Sequence, residues 1–177
     1  MHLTDSMQAF ILHWGEMGTR WGMNRSVAQI HALLHLSPDP LPAEDIAELL
    51  GIARSNVSTG IKELQLWKLV KVSRKLGDRR DHFTAVRDPW DMAQLVIQGR
   101  REREFLPTLD AVDQALGDAR NDGTAQEVQE RMQVTLEMMQ AFDRWFREMD
   151  RLPRSAQLKL LKLGAKVTSW LPKIGGS

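Results

Sequence analysis

Between Val72 and Phe83 the chain reads VSRKLGDRRDHF, which crowds Arg74, Lys75, Arg79 and Arg80 around a single Gly-Asp. Like charges so close repel one another. Such a cluster persists either as a well-solvated loop or against a polyanion whose counterions it displaces. Upstream, RSNVSTGIKELQLWKL puts Arg54, Ser55, Asn56, Ser58, Thr59 and Lys62 on one face of a helical pattern, with Val57, Ile61, Leu64 and Trp67 on the other. Short polar side chains let a backbone come close to a nucleic-acid groove, where Asn56 can pair bidentately with adenine and Arg54 with guanine. A solvated helix face is the plain alternative. Its coincidence with a basic turn just downstream favours double-stranded DNA as the partner.

The elements that must hold these residues follow from periodicity and breakers. Met7, Phe10, Ile11 and Trp14 have helical spacing, with Asp5 or Ser6 as cap, and Gly18 and Gly22 interrupt the pattern. Ser26 is a cap for a second helix carrying Val27, Ile30, Leu33, Leu34 and Leu36, which SPDPLP ends. A short third helix follows Pro42, with Ile46, Leu49 and Leu50 inward and Gly51 as its stop; Ala47 and Ile52 suit a close helix crossing. Helix, short Gly-containing turn and helix is a helix-turn-helix pattern. LVKVS and DHFTAV then read as two strands joined by RKLGDRR, a hairpin in the position of a wing. Beyond Asp88-Pro89 the pattern is helical. A run from Trp90 to about Arg120 is expected to kink near Leu106 because of Pro107, and a helix over 124–151 carries Val128, Met132, Leu136, Met139, Phe142 and Phe146 in one stripe. A basic amphipathic stretch starts near Arg154, with Leu158, Leu161 and Val167 on one side, and contains Trp170.

Bulk properties bound the class. The chain has 177 residues, 42% of them hydrophobic, enough for a real core. It has no cysteine, which excludes a disulfide framework and a thiol nucleophile and fits a reducing, cytoplasmic setting. No signal peptide or membrane-spanning run is expected. The net charge of +1 conceals segregation: residues 1–52 sum to −4, 53–80 to +6, 81–151 to −6 and 152–177 to +5. One basic face on an acidic body is the consequence.

From Trp21 to Met92 the sequence resembles the GbsR-type branch of the MarR superfamily of transcriptional regulators, through WGMNRS, SNVSTGIKEL, GDRRDHF and DPWDM. The resemblance implies a bacterial or archaeal origin, a homodimer, and repression relieved or modified by a signal. It carries Ser55, Asn56, Ser58, Thr59 and Lys62 into a recognition-helix role and Arg79 and Arg80 into a wing-tip role. Some members of the family sense choline-like ligands.

Other features invite chemistry that their surroundings do not support. His31 and His35 have metal-ligand spacing, but no third ligand is evident beyond Asp39 nearby in sequence, and Ala32 stands where a zinc-protease pattern needs Glu. His82 reads as a phosphate or strand neighbour. Acid pairs such as Glu102/Glu104 and Glu127/Glu130 lie among arginines as surface ion pairs. There is no phosphate loop and no catalytic constellation. Trp14, Trp21 and Trp90 could form an aromatic cage for a cationic small-molecule effector, or simply pack in a core or interface. Met17, Met23, Met132, Met138 and Met139 could line an adaptable pocket. The basic tail could lie on a membrane surface, although packing in a dimer suits it better.

The expected architecture is mainly α with a small β-hairpin. Residues 1–25 form a helix contributing to dimerisation, 26–88 a winged helix-turn-helix and 89–177 a helical dimerisation region. The expected function is a homodimeric DNA-binding regulator, most simply a repressor, without cofactor, metal, membrane or enzymatic role. Helix 54–67 would enter the major groove, and wing 72–85 would rest on the backbone or minor groove. A winged-helix module that binds a protein partner instead of DNA is the alternative.

Overall fold

The structure is a computed structural model that describes residues 1–167. It comprises two compact units, residues 1–103 and a second that begins at residue 104. Residues 89–103, grouped by the sequence with the distal helices, lie in the first.

In the first unit, α1 (Asp5–Arg20) packs on α2 (Arg25–Leu36), and α2 packs on α4 (Arg54–Leu66) and α3 (Ala43–Leu50). The caps are Thr4, whose hydroxyl accepts from the Met7 amide, and Asn24, which accepts from Ser26, one or two residues before the expected ones. Gly18 does not end α1. It lies buried inside the helix, where an added Cβ would come within 2.5 Å of the Ala28 Cβ, so the residue is there to let α1 and α2 touch. The core gathers Ile30, Leu33, Leu34, Ile46, Val57, Leu64 and Leu69, all essentially inaccessible, with Ile52 and Trp67 packed at its margin.

The sheet has three antiparallel strands, not two, in the order β1-β3-β2. Leu41–Pro42 is β1, pairing through Leu41 with Phe83 and through Pro42 with His82; β2 is Val70–Lys75 and β3 is Asp78–Ala85. A proline cannot donate to a ladder, so the Pro-rich segment reads as a plain breaker in sequence but is tolerated as this short edge strand. α5 (Pro89–Arg100) is capped by Asp88, which accepts from the Trp90 and Asp91 amides, and its Met92, Leu95 and Val96 pack against the core. A π-helical turn over Arg101–Phe105 follows, immediately before the helix that holds Pro107. Proline lacks the amide and crowds the carbonyl four residues back, so the ladder is interrupted there, as the expected kink near Leu106 required.

The second unit contains α6 (Leu106–Ala119), α7 (Gln126–Arg151) and α8 (Arg154–Val167), with α6 packed on α7. Among its described residues only Leu116, Ala119, Leu136 and Asp143 are buried. The stripe picked from sequence as surplus apolar surface is split: Leu136 is buried, Met132, Met139 and Phe146 are half-buried, and Val128 and Phe142 are exposed. Most of that row is therefore occupied within its own unit. Trp170 and the end of the basic tail lie outside the described residues. No described helix is long and apolar enough to cross a membrane.

Candidate nucleic-acid interface

α4 divides cleanly. Val57, Gly60, Ile61 and Leu64 are buried, while Arg54, Ser55, Asn56, Ser58, Thr59 and Lys62 are all exposed. Gly60 belongs to the inner face: a Cβ there would meet the Ile30 Cδ1 at 2.7 Å, so glycine permits the α2–α4 crossing and does not serve the outer surface. Ala53 gives α4 no side-chain cap, and the exposed polar residues begin in its first turn. Arg54 is held by Glu44 of α3 at 2.5 Å. The side chains of Ser55, Asn56, Ser58, Thr59 and Lys62 make no hydrogen bond or ion pair with described residues. The far end of α4 is fixed by Trp67, against whose ring the Arg103 guanidinium lies at 4.3 Å while donating to the Leu66 carbonyl at 2.5 Å.

The wing is tighter than the sequence suggested. The connecting turn is only Leu76–Gly77, with Gly77 at φ +83°, and not Gly-Asp. Lys75 pairs with Asp78 and Arg74 with Asp81, so a bulge leaves Arg79 and Arg80 unopposed on β3. Two adjacent arginines thereby meet different fates.

Arg80 is occupied. Its Nε donates to Asp78 Oδ1 and Oδ2 at 3.0 and 3.1 Å, its Nη2 to Oδ2 at 2.7 Å, and its backbone amide to Oδ1 at 3.0 Å. Its Nη1 lies 3.5 Å from Asp45 of α3. The Arg80 side-chain and amide hydrogen bonds hold the Asp78 carboxyl well below the usual carboxylate range, and Asp78 in turn raises the Arg80 guanidinium. His82, buried beneath, has Nδ1 3.0 Å from the Arg80 carbonyl and Nε2 3.5 Å from Asp78, so it is a strand neighbour.

Arg74 is loosely paired with Asp81 at 3.4 Å. Arg79 and Lys75 are exposed and, among the described residues, have no ion-pair partner. Of the cations expected to meet DNA, Lys62, Lys75 and Arg79 are thus unpaired, while Arg54, Arg74 and Arg80 share carboxylates. Asp78, which the sequence places beside Arg79 and Arg80, holds the second of them, whereas Glu44 and Asp45 lie far upstream and no local spacing signals their contacts with Arg54 and Arg80.

The three tryptophans have different surroundings. Trp14 stacks on Phe10 and on His31, with centroids at 5.3 and 6.2 Å; Trp21 is 63% exposed, and its carbonyl accepts from Arg100; Trp90 opens α5. A hollow of about 480 Å³ in this unit is lined by residues that include Leu3, Ile11, Leu12, Gln29, Glu48 and Leu50, and includes none of the three. Met17 and Met23 belong to the first unit, Met132, Met138 and Met139 to the second. His31 and His35 stack at 6.2 Å, and burial, with a lesser contribution from His35, lowers the His31 pKa to about 4. No cluster of three or more His, Cys, Asp or Glu among the described residues could hold a metal ion.

Residues 21–81, spanning α2 through the wing turn, match the family model described as MarR family. About a third of the chain is thus similar to the MarR family. Its similarity extends to the HTH-type transcriptional repressor GbsR of Bacillus subtilis, 26% identical over 98 residues, which are 55% of this chain and 54% of that protein. The chain thus matches only about half the length of that curated relative. A crystal structure of a transcriptional regulator shares the fold, with a TM-score of 0.64 at 16% identity over 81% of this chain and 94% of the other. The Staphylococcus aureus MepR–DNA complex is 19% identical over 79% of this chain and 98% of that one, with a TM-score of 0.38.

Proposed function

We propose that this chain is a DNA-reading transcriptional regulator of the GbsR type, acting as a homodimer and most simply as a repressor. The observation that carries the reading is the exposed, uncommitted polar face of α4 next to a wing with unpaired cations. α4 enters a major groove, with Ser55, Asn56, Ser58 and Thr59 at base edges and Lys62 on phosphate. Lys75 and Arg79 sit on the backbone or in the adjacent minor groove, and Arg80 is a positioning residue that fixes the wing against α3. The homodimer is supported by the second unit, several of whose large apolar residues, Val134, Met138, Phe142 and Trp145 among them, stand exposed in a single chain. A signal that changed the spacing of two recognition helices would change operator affinity by linkage.

Fluorescence anisotropy on the DNA upstream of this protein's own gene, titrated with salt against a scrambled duplex, tests this. Three phosphate contacts per subunit predict a log–log slope near −3 per subunit. Arg79→Ala should reduce that slope by about one and weaken all duplexes alike, whereas Asn56→Ala should cost about 1–3 kcal/mol on the preferred site and relax its specificity. Absence of binding to either duplex at low salt would sink the DNA reading and leave a protein-binding winged helix.

A further inference from the structure

Leu76 is the odd residue of the wing. Its accessibility is 103%, that of an isolated extended peptide, while no other large apolar side chain among the described residues exceeds 64%. The turn does not require it. The positive φ falls on Gly77, and Leu76 keeps a negative φ that a proline, serine or aspartate would hold equally well. The core does not take it either. Every residue from Lys71 to Gly77 is exposed, and at about 3.3 Å per residue Leu76 stands about 20 Å along the wing from the buried Val70.

We propose that Leu76 is an apolar wedge that enters a DNA minor groove and partly unstacks a base step there, kinking the duplex at a place α4 does not touch. This rests on the DNA reading above. Charge placement supports it. Lys75 lies directly before the tip and Arg79 three residues after it, both exposed and, among the described residues, without an ion-pair partner. The two lips of a groove, lined by phosphates, meet these cations, and its floor meets Leu76. The dimensions agree. A minor groove is about 6 Å wide. Two strands about 4.8 Å apart are too broad to sink into it with their side chains, but a two-residue turn ends in a single side chain. The tip is also braced. Asp78, the residue after Gly77, accepts three side-chain hydrogen bonds of 2.7–3.1 Å from Arg80, whose Nη1 lies 3.5 Å from Asp45 of α3. A wedge needs that stiffness to part stacked bases. The same contacts neutralise the carboxylate nearest the tip, which would otherwise repel phosphate. Burying a leucine gains about tenfold to a hundredfold in affinity, of the same order as the cost of unstacking one step. The wedge therefore gains little on stiff DNA and most at a flexible pyrimidine–purine step, so Leu76 reads deformability where α4 reads base edges.

The test uses the full chain and the duplex it binds best from the DNA upstream of its own gene, labelled at both ends for energy transfer. The unsubstituted chain should bend this duplex by about 20° or more. Leu76→Ser should bind about tenfold more weakly and bend it less, at an unchanged salt slope, because no charge is lost. Leu76→Met, similar in volume and itself able to wedge, should keep both affinity and bend. Position 76 is fully exposed in the free protein, so neither variant should shift the unfolding midpoint. Replacing the pyrimidine–purine steps in turn by stiff A-tract steps should reveal one at which the unsubstituted chain loses affinity and Leu76→Ser does not. Equal affinity and equal bend for Leu76→Ser would overturn the wedge and leave Leu76 to a protein partner. A weaker Leu76→Ser together with an unbent complex of the unsubstituted chain would overturn it too, since the leucine would then only touch the groove wall. Failure of the unsubstituted chain to bind any duplex at low salt is a separate result, which removes the DNA reading itself and the wedge with it.

Discussion

The two units bury their apolar residues to opposite degrees. In the first, more than a dozen hydrophobic side chains from α1–α4 and the sheet converge on one core, and the exposed face of α4 is polar. In the second, most large apolar side chains of α7 and α8 stand on the surface: Val134, Met138, Phe142, Trp145, Leu160, Leu161 and Leu163. The first unit is stabilised from within. The second buries little besides Leu116, Ala119 and Leu136 among its described residues, and covering its exposed apolar surface would gain about 25 cal/mol for every Å² removed from water. A small domain with few buried residues gains most from association, which is what the proposed homodimer would supply.

The sharpest way to break this contrast is to truncate one residue in each unit. Leu33→Ala should cost about 3 kcal/mol in denaturant unfolding of the first unit, from lost transfer energy plus the cavity left behind. Val134→Ala should cost under about 0.5 kcal/mol in dilute protein, and its effect should appear only as a weaker dimer. Equal losses at low concentration would show that the second unit already has its own core.

Acid should act on the first unit through His31. Its folded pKa of about 4 lies below the ordinary 6.5, so between these values the unfolded chain binds the extra proton. Stability is therefore full above about pH 6.5 and falls as pH drops toward 4, by up to about 3 kcal/mol. His31→Leu should flatten that part of the unfolding profile, measured by denaturant midpoints at pH 7 and 4.5. Asp78 works in the same direction at lower pH: its depressed pKa makes the Asp78–Arg80 clamp complete above the ordinary carboxylate range and loosens it as pH falls through the folded value.

Gly18→Ala forces a methyl onto the Ala28 Cβ, which has no flexible end to give way, so a loss of about 2 kcal/mol in thermal unfolding is expected. The smallest change runs the other way. Lys68 holds φ +59° directly after α4, where its amide bonds the Gln65 carbonyl and the Leu69 amide bonds the Leu64 carbonyl. Lys68→Gly should stabilise the unit by about 1 kcal/mol at this left-handed helix end, read from the same unfolding curves.

Much of the winged-helix unit was legible in one dimension. Periodicity separated the buried from the exposed face of 54–66 residue by residue, because a helix surface repeats locally and each residue's side follows from its neighbours. Breakers and β-branched runs located the wing, and Pro107 announced an interruption that the π turn over 101–105 fulfils. Local signals failed where partners come from afar. Leu41–Pro42 becomes a strand only because β3 lies beside it. Arg79 and Arg80 are identical neighbours in sequence, and only the fold at the bulge, which turns Arg80 onto Asp78 with Asp45 farther off, leaves one unpaired and the other clamped.

By itself, then, the sequence determined the helix-turn-helix, its polar face, the hairpin and the family resemblance, all of which rest on short-range spacing. The tertiary structure decided which cations are already neutralised and which apolar residues of α7 face inward. Those within and those on the surface obey the same helical period, so no pattern in the chain separates them. The choice belongs to packing against α6, a contact between segments that the sequence places apart.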